Sequence, residues 1–174
     1  MCVAPLAGCR TEVKAFLRLK HKADESRDRL RWAWRGGMTS LADFGMPTGT
    51  TAVTLCIYAG TSALEYTVPG GANWRAVGAR HAFSRKERFR YRDPTGTFDG
   101  IRTVVLRTGE DGRTKALMGK ILVKGAGINL PNPTLPLTVP VTAQFVNSSN
   151  DVCFTSTFTG PKKSTSTAFK ARSP

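Results

Sequence analysis

Hydrophobic and polar residues alternate with a period of two along most of this chain, and that period predicts strands. In residues 28–35, Leu30, Trp32 and Trp34 fall on one face, and Arg29, Arg31 and Arg35 on the other. A helix would scatter these side chains around its circumference. A strand sends the tryptophans into a core and the guanidinium groups into water. Residues 13–20 set Val13, Ala15, Leu17 and Leu19 against Lys14, Phe16, Arg18 and Lys20, a pattern that reads as a strand and is also short enough for a brief helix. In residues 87–92, Phe89 and Tyr91 oppose Arg88, Arg90 and Arg92.

The same period extends through the rest of the chain. Strands are predicted over 51–58, 63–68, 101–108, 114–124, 139–145 and 152–158, with a last short one at Ala168-Phe169. Turn chemistry separates them. Gly36-Gly37 ends the tryptophan strand, Gly60-Thr61-Ser62 forms a hairpin turn, and Pro69-Gly70-Gly71, Asp93-Pro94-Thr95-Gly96 and Glu110-Asp111-Gly112 are further breaks. Residues 73–86 follow neither period, although Trp74, Val77 and Phe83 suit the edge of a core. In 130–137, three prolines fix φ and remove donors, so this stretch is predicted to be extended and to cross between sheets.

About nine or ten short strands, each with one apolar face, predict an all-β fold. The expected architecture is an antiparallel β-sandwich, jelly-roll or immunoglobulin-like. One domain spans 1–174, with an ordered core over 10–170 and fraying termini, including the tail from Lys170.

Charge changes the picture. With 26 basic and 12 acidic residues, the chain carries +14. Such an excess opposes compaction by self-repulsion and attracts polyanions: nucleic acid, anionic lipid or acidic polysaccharide. The Arg29, Arg31, Arg35 ladder and the Arg88, Arg90, Arg92 ladder are the candidate polyanion-binding residues, provided the two meet on one sheet. Solvated strand faces and edge protection explain the same alternation without any ligand. Nucleic acid is the weaker partner, because alternation sends the stacking aromatics inward.

The cysteines, Cys2, Cys9, Cys56 and Cys153, contain no CxxC pair, and only His21 and His81 could join them, which argues against zinc. An even, widely spaced set suits disulfides and an oxidising compartment, while buried free thiols remain open. Of three connectivities, Cys2–Cys9 with Cys56–Cys153 is preferred and the other two remain open. No apolar run is long enough for a membrane helix. Residues 1–9 are too short and too interrupted for a signal peptide, so export, to the cell exterior or surface, implies a leader removed or a longer precursor.

Several segments, in order, carry a family likeness: Trp32-Ala33-Trp34 then Ala42-Asp43-Phe44-Gly45; Thr54-Leu55-Cys56-Ile57-Tyr58; Lys124-Gly125-Ala126-Gly127 leading to Leu130-Pro131 and Leu135-Pro136-Leu137; and Val141-Thr142-Ala143-Gln144-Phe145-Val146-Asn147-Ser148 through Cys153 to Ala168-Phe169-Lys170. Together they resemble a β-rich module of unknown function found in predicted secreted proteins of deltaproteobacteria and related environmental bacteria. The chain departs from that module in lacking cysteine between Gly70 and Trp74, and in carrying Phe154 where tryptophan follows the last cysteine. The resemblance implies extracellular, non-enzymatic use and brings no activity with it.

No catalytic constellation, cofactor motif or metal site is read from the chain. Gly-x-Ser-x-Gly, Walker and GxGxxG patterns are absent, and both histidines sit among cations, which disfavours the imidazolium and suits a solvent-exposed role. Most carboxylates fall in turns; Asp93 and Asp99 flank a glycine loop but lack calcium-loop spacing. The expectation is therefore a secreted, non-enzymatic structural or adhesion module whose partner is an acidic polysaccharide or another extracellular protein. The alternatives are a polyanion-binding module built on the arginine ladders, and a carbohydrate-binding or carbohydrate-active domain with loops near Trp74, Asp93 and Asp99.

Overall fold

A computed structural model of the protein describes residues 2–78, 87–109 and 118–173. Strands form where the alternation placed them, and two short ones, Trp74–Val77 and Lys163–Thr165, form where it did not. They are β1 (Lys14–Lys20), β2 (Arg29–Gly36), β3 (Val53–Ala59), β4 (Ser62–Val68), β5 (Trp74–Val77), β6 (Arg88–Arg92), β7 (Ile101–Arg107), β8 (Gly119–Ala126), β9 (Val141–Asn147), β10 (Phe154–Phe158), β11 (Lys163–Thr165) and β12 (Ala168–Arg172). Two 3-10 turns, Glu25–Arg27 and Ala42–Phe44, are the helical elements among the described residues.

The fold is all-β, in two antiparallel sheets. The larger has eight strands in the order β11-β12-β1-β2-β8-β7-β6-β5, and the smaller has four in the order β10-β9-β3-β4. Immunoglobulin domains divide about seven to nine strands between their sheets, and a jelly roll about eight. The count exceeds the expected nine or ten because β5 and β11 are short edge strands. β5 lies in the stretch that follows neither period, and β11 has no buried residue to give it one.

The two inner faces share one core. Trp32, on β2, is fully buried and stacks on Phe145 of β9 with centroids 6.2 Å apart. Its Nε1 donates to Ser156 Oγ at 2.9 Å, and Trp34 Nε1 donates to the Thr155 carbonyl at 3.1 Å. Each indole thus buries its rings while its N–H finds an acceptor on the opposite sheet. Gly36 lies beyond Trp34 on the same face, where a Cβ would run into the indole ring. That glycine leaves room for the ring as the last residue of β2, which ends at the Gly36-Gly37 pair where the sequence placed its end.

The strand read over 13–20 forms as β1, with a partner on each side, and the brief-helix alternative falls away. Other expectations change. The tail from Lys170 does not fray: β12 pairs with β1 because Phe169 and Ala171 are fully buried anchors. The proline-rich stretch does pass from β8 in the large sheet to β9 in the small one. The turn predicted at 110–112, the first residues of the strand predicted at 114–124, Phe83 and His81 lie outside the described residues.

The disulfides are Cys2–Cys56 and Cys9–Cys153, not the preferred Cys2–Cys9 with Cys56–Cys153. Topology gives the reason. Cys56 is on β3 and Cys153 adjoins β10, and β9 lies between them. Two strand spacings, about 10 Å, exceed the reach of a disulfide. The N-terminal segment instead runs over the outer face of the small sheet and is fastened at both ends. Leu6 exchanges two backbone hydrogen bonds with the Gln144 side chain, each 2.8 Å, which buries that amide.

Candidate functional site

The strap covers the outer face of the small sheet; the outer face of the large sheet carries the charge. Because β1, β2, β8, β7 and β6 are paired in register, their outward positions align into rows across the strands. One row reads Lys163, Lys170, Arg18, Arg31, Lys124, Thr103 and Arg92, each opposite the next. Two residues along, Arg172, Phe16, Ala33, Leu122, Val105, Arg90 and Arg75 form a row that is apolar in the middle and cationic at both ends. Two residues further, Lys14, Arg35, Lys120, Arg107 and Arg88 are again cationic throughout. On the other side of the first row, Lys20 faces Arg29.

Both predicted ladders, Arg29, Arg31, Arg35 and Arg88, Arg90, Arg92, therefore lie on one outer face, separated by β8 and β7. The sequence reading missed what joins them: Lys120 and Lys124 on β8 and Arg107 on β7, with Lys14, Arg18 and Lys20 extending the field to β1. The signal was present, since residues 14–20 alternate as cleanly as residues 29–35. The order of strands in the sheet was not.

Like charges directly opposite one another destabilise a strand pair. Among the described residues the ion pairs are Arg10–Asp43 and His21–Asp28, and neither relieves this face. The field shows in the cations themselves. Arg18, with help from burial, Lys22 and Lys163, holds Lys20 below the ordinary lysine range. Burial, then Arg35 and Arg107, lowers Lys120. Burial, then Arg35 and Arg88, lowers Arg107, whose Nε has no hydrogen-bond partner among the described residues while its Nη2 donates to the Met118 carbonyl at 3.1 Å. Arg29 is partly engaged, donating from Nη1 to the Ser26 and Asp28 carbonyls.

Two hollows open on this face and share Arg31. One, of about 390 Å³, is bounded by Lys14, Arg35 and Arg172 around Phe16, with the Arg31 and Arg172 guanidinium carbons 5.8 and 5.9 Å from its ring centroid. The other, of about 510 Å³, is bounded by Arg18, Lys20, Arg29, Arg31, Arg102 and Lys124. Its floor is Leu30, Gly125 and Ala126; Leu30 is buried, a Cβ at Gly125 would point inward against Leu130, and the outward Ala126 is short, so the surface is sunk there. Among the described residues no carboxylate lines either hollow.

The remaining candidates are used by the fold. Trp74 is buried, packs on Tyr91 at 5.3 Å and donates from Nε1 to the Pro69 carbonyl, so its ring is no platform for a sugar. Asp93 accepts from the Thr95, Gly96 and Thr97 amides and the Thr95 hydroxyl, and Asp99 accepts from the Thr67 amide at 2.8 Å. His21, expected in solvent, is a partner instead: its Nδ1 is 2.8 Å from the buried Asp28 carboxylate, which lies within reach because the connector turns back onto β2. Among the described residues no helix is long and apolar enough to cross a membrane. In comparisons with family models, curated proteins and solved structures, nothing matches this chain.

Proposed function

We propose that this protein is a non-enzymatic module that binds an anionic polymer through the outer face of its eight-stranded sheet, acting outside the cell as an adhesion or matrix-binding element. The observation that carries the reading is the uninterrupted register of cations from β12 through β8, with no carboxylate among the described residues lining the hollows between them. Folding alone does not call for such rows, because they work against the sheet. Function is where a protein retains a locally unfavourable choice. Two sheets packed as a β-sandwich supply a rigid plane for a long, repetitive ligand, and two disulfides favour an oxidising, extracellular location.

Heparin-affinity chromatography tests the proposal. The protein is expected to be retained and to elute only at raised salt, since screening shortens the reach of exposed charges. A variant with Arg18, Arg31 and Arg35 changed to serine should elute markedly earlier. Retention indifferent to ionic strength, or unchanged in that variant, would overturn the reading.

A further inference from the structure

The geometry points to a linear polyuronate, an acidic polysaccharide with one carboxylate per sugar, lying across the strands in the trough over β1, β2, β8 and β7. This inference rests on the polyanion reading above and narrows it to one ligand class and one track. The trough has two cationic banks. Arg18, Arg31 and Lys124 form one; Lys20, Arg29 and Arg102 form the other. Residues two apart on a strand are separated by about 7 Å, so the banks stand about a sugar ring's width apart. Between them the floor is the backbone of Leu30 and Gly125, and Ala126, level with Arg29, keeps the second bank low over β8, a shallow surface suited to the C–H face of a pyranose.

Charge spacing favours this occupant. Along the first bank the cations repeat at the distance between neighbouring strands, about 4.8 Å; along the second, Ala126 takes the place on β8, so Arg29 and Arg102 stand two strand spacings, about 10 Å, apart. A β-1,4-linked polyuronate of two-fold habit turns successive carboxylates to opposite edges of the chain, one per ring, and so addresses the two banks alternately. Arginine binds a carboxylate through two parallel N–H donors, and four of the six cations are arginines. Stacked nucleic-acid strands carry a charge about every 3.4 Å, a closer repeat than the banks offer. Single strands also need aromatic platforms for their bases. Among the described residues no aromatic ring lines the trough; Phe16 lines the neighbouring hollow and is already flanked by Arg31 and Arg172. An anionic bilayer would gain nothing from a sunken floor, and no large apolar side chain rises between the banks.

The test is calorimetric titration of the intact, disulfide-bonded protein with β-1,4-mannuronate oligomers of increasing length. Size-fractionated heparin and single-stranded oligodeoxythymidine of equal charge serve as comparators. Affinity is expected to rise with each sugar up to about four, one per strand crossed, and then to level off. R31S and R102S, one from each bank, should each weaken mannuronate binding about tenfold, the scale of one lost charge-assisted contact. R75S, on the far edge strand, should leave binding unchanged, and unaltered thermal melting of all three variants excludes misfolding as the cause. Tighter binding of the oligodeoxythymidine, or of heparin alone with loss in R31S, would overturn the polyuronate assignment and leave the polyanion reading standing. Absence of binding to all three polymers would overturn both.

Discussion

Asp93 shows how much of this fold is decided by single side chains. Burial pushes its carboxyl up, but hydrogen bonds from Thr95, Thr97 and Gly96 outweigh that and bring it down to about 2, below its ordinary 3.8. The unfolded chain therefore binds the proton more readily, so the stabilisation is fully present above pH 3.8 and is lost as pH falls toward about 2. Asp93→Ala should cost about 1–3 kcal/mol at neutral pH in urea unfolding, and the gap to wild type should close in acid. Lys120, by contrast, works against the fold in its charged form. Its lowered value means that the native state sheds the proton first, so stability rises with pH on the approach to 10.5. Lys120→Gln should therefore stabilise at neutral pH, by about 0.2–1 kcal/mol, the scale of one opposed cross-strand pair. Burial also raises Tyr91 to about 12, so in this respect stability should decline as pH climbs past 10.0. The turn at Asp93 was legible in its Asp-Pro-Thr-Gly sequence. The partnership of His21 with Asp28 was not, because a carboxylate seven residues away becomes a neighbour only once the connector folds back.

Among the elements, β2 was legible almost completely. Its period of two assigns every side chain to a face, and Trp32 and Trp34 lie where that assignment put them. The short edges β5 and β11 were not legible, since an edge strand held on one side needs no strict alternation. The disulfide pairing failed for a similar reason. Spacing along the chain cannot reveal that β9 separates β3 from β10, and that separation forbids Cys56–Cys153. The observed bridges hold the N-terminal strap by loops of unequal length, 54 residues for Cys2–Cys56 and 144 for Cys9–Cys153. On chain-entropy grounds, removing the longer with paired serines should cost about 1 kcal/mol more than removing the shorter, within a range of about 2–5 kcal/mol for each. Guanidinium denaturation of the two double variants checks this. Ser156→Ala should lose about 1–3 kcal/mol in the same assay by leaving the Trp32 N–H without an acceptor.

For the whole molecule, the charge of +14 is an attribute of one face more than of the sequence at large. The two arginine ladders were legible, and so was the condition that they meet on one sheet. What alternation could not supply was the pair of strands between them, whose Lys120, Lys124 and Arg107 turn two ladders into a continuous field. Self-repulsion across that field has a consequence for the free protein: added salt should raise its thermal stability, because screening relieves like charges. The same salt should weaken ligand binding. The most direct measurement of the central claim is the dependence of heparin affinity on sodium chloride, compared between the wild type and a variant with Arg18, Arg31 and Lys124 changed to serine. A steep fall of log affinity with log salt in the wild type, and a distinctly shallower slope with weaker binding in the variant, is the predicted result. Equal slopes and equal affinities would contradict it, for the ligand would then be held by some other surface.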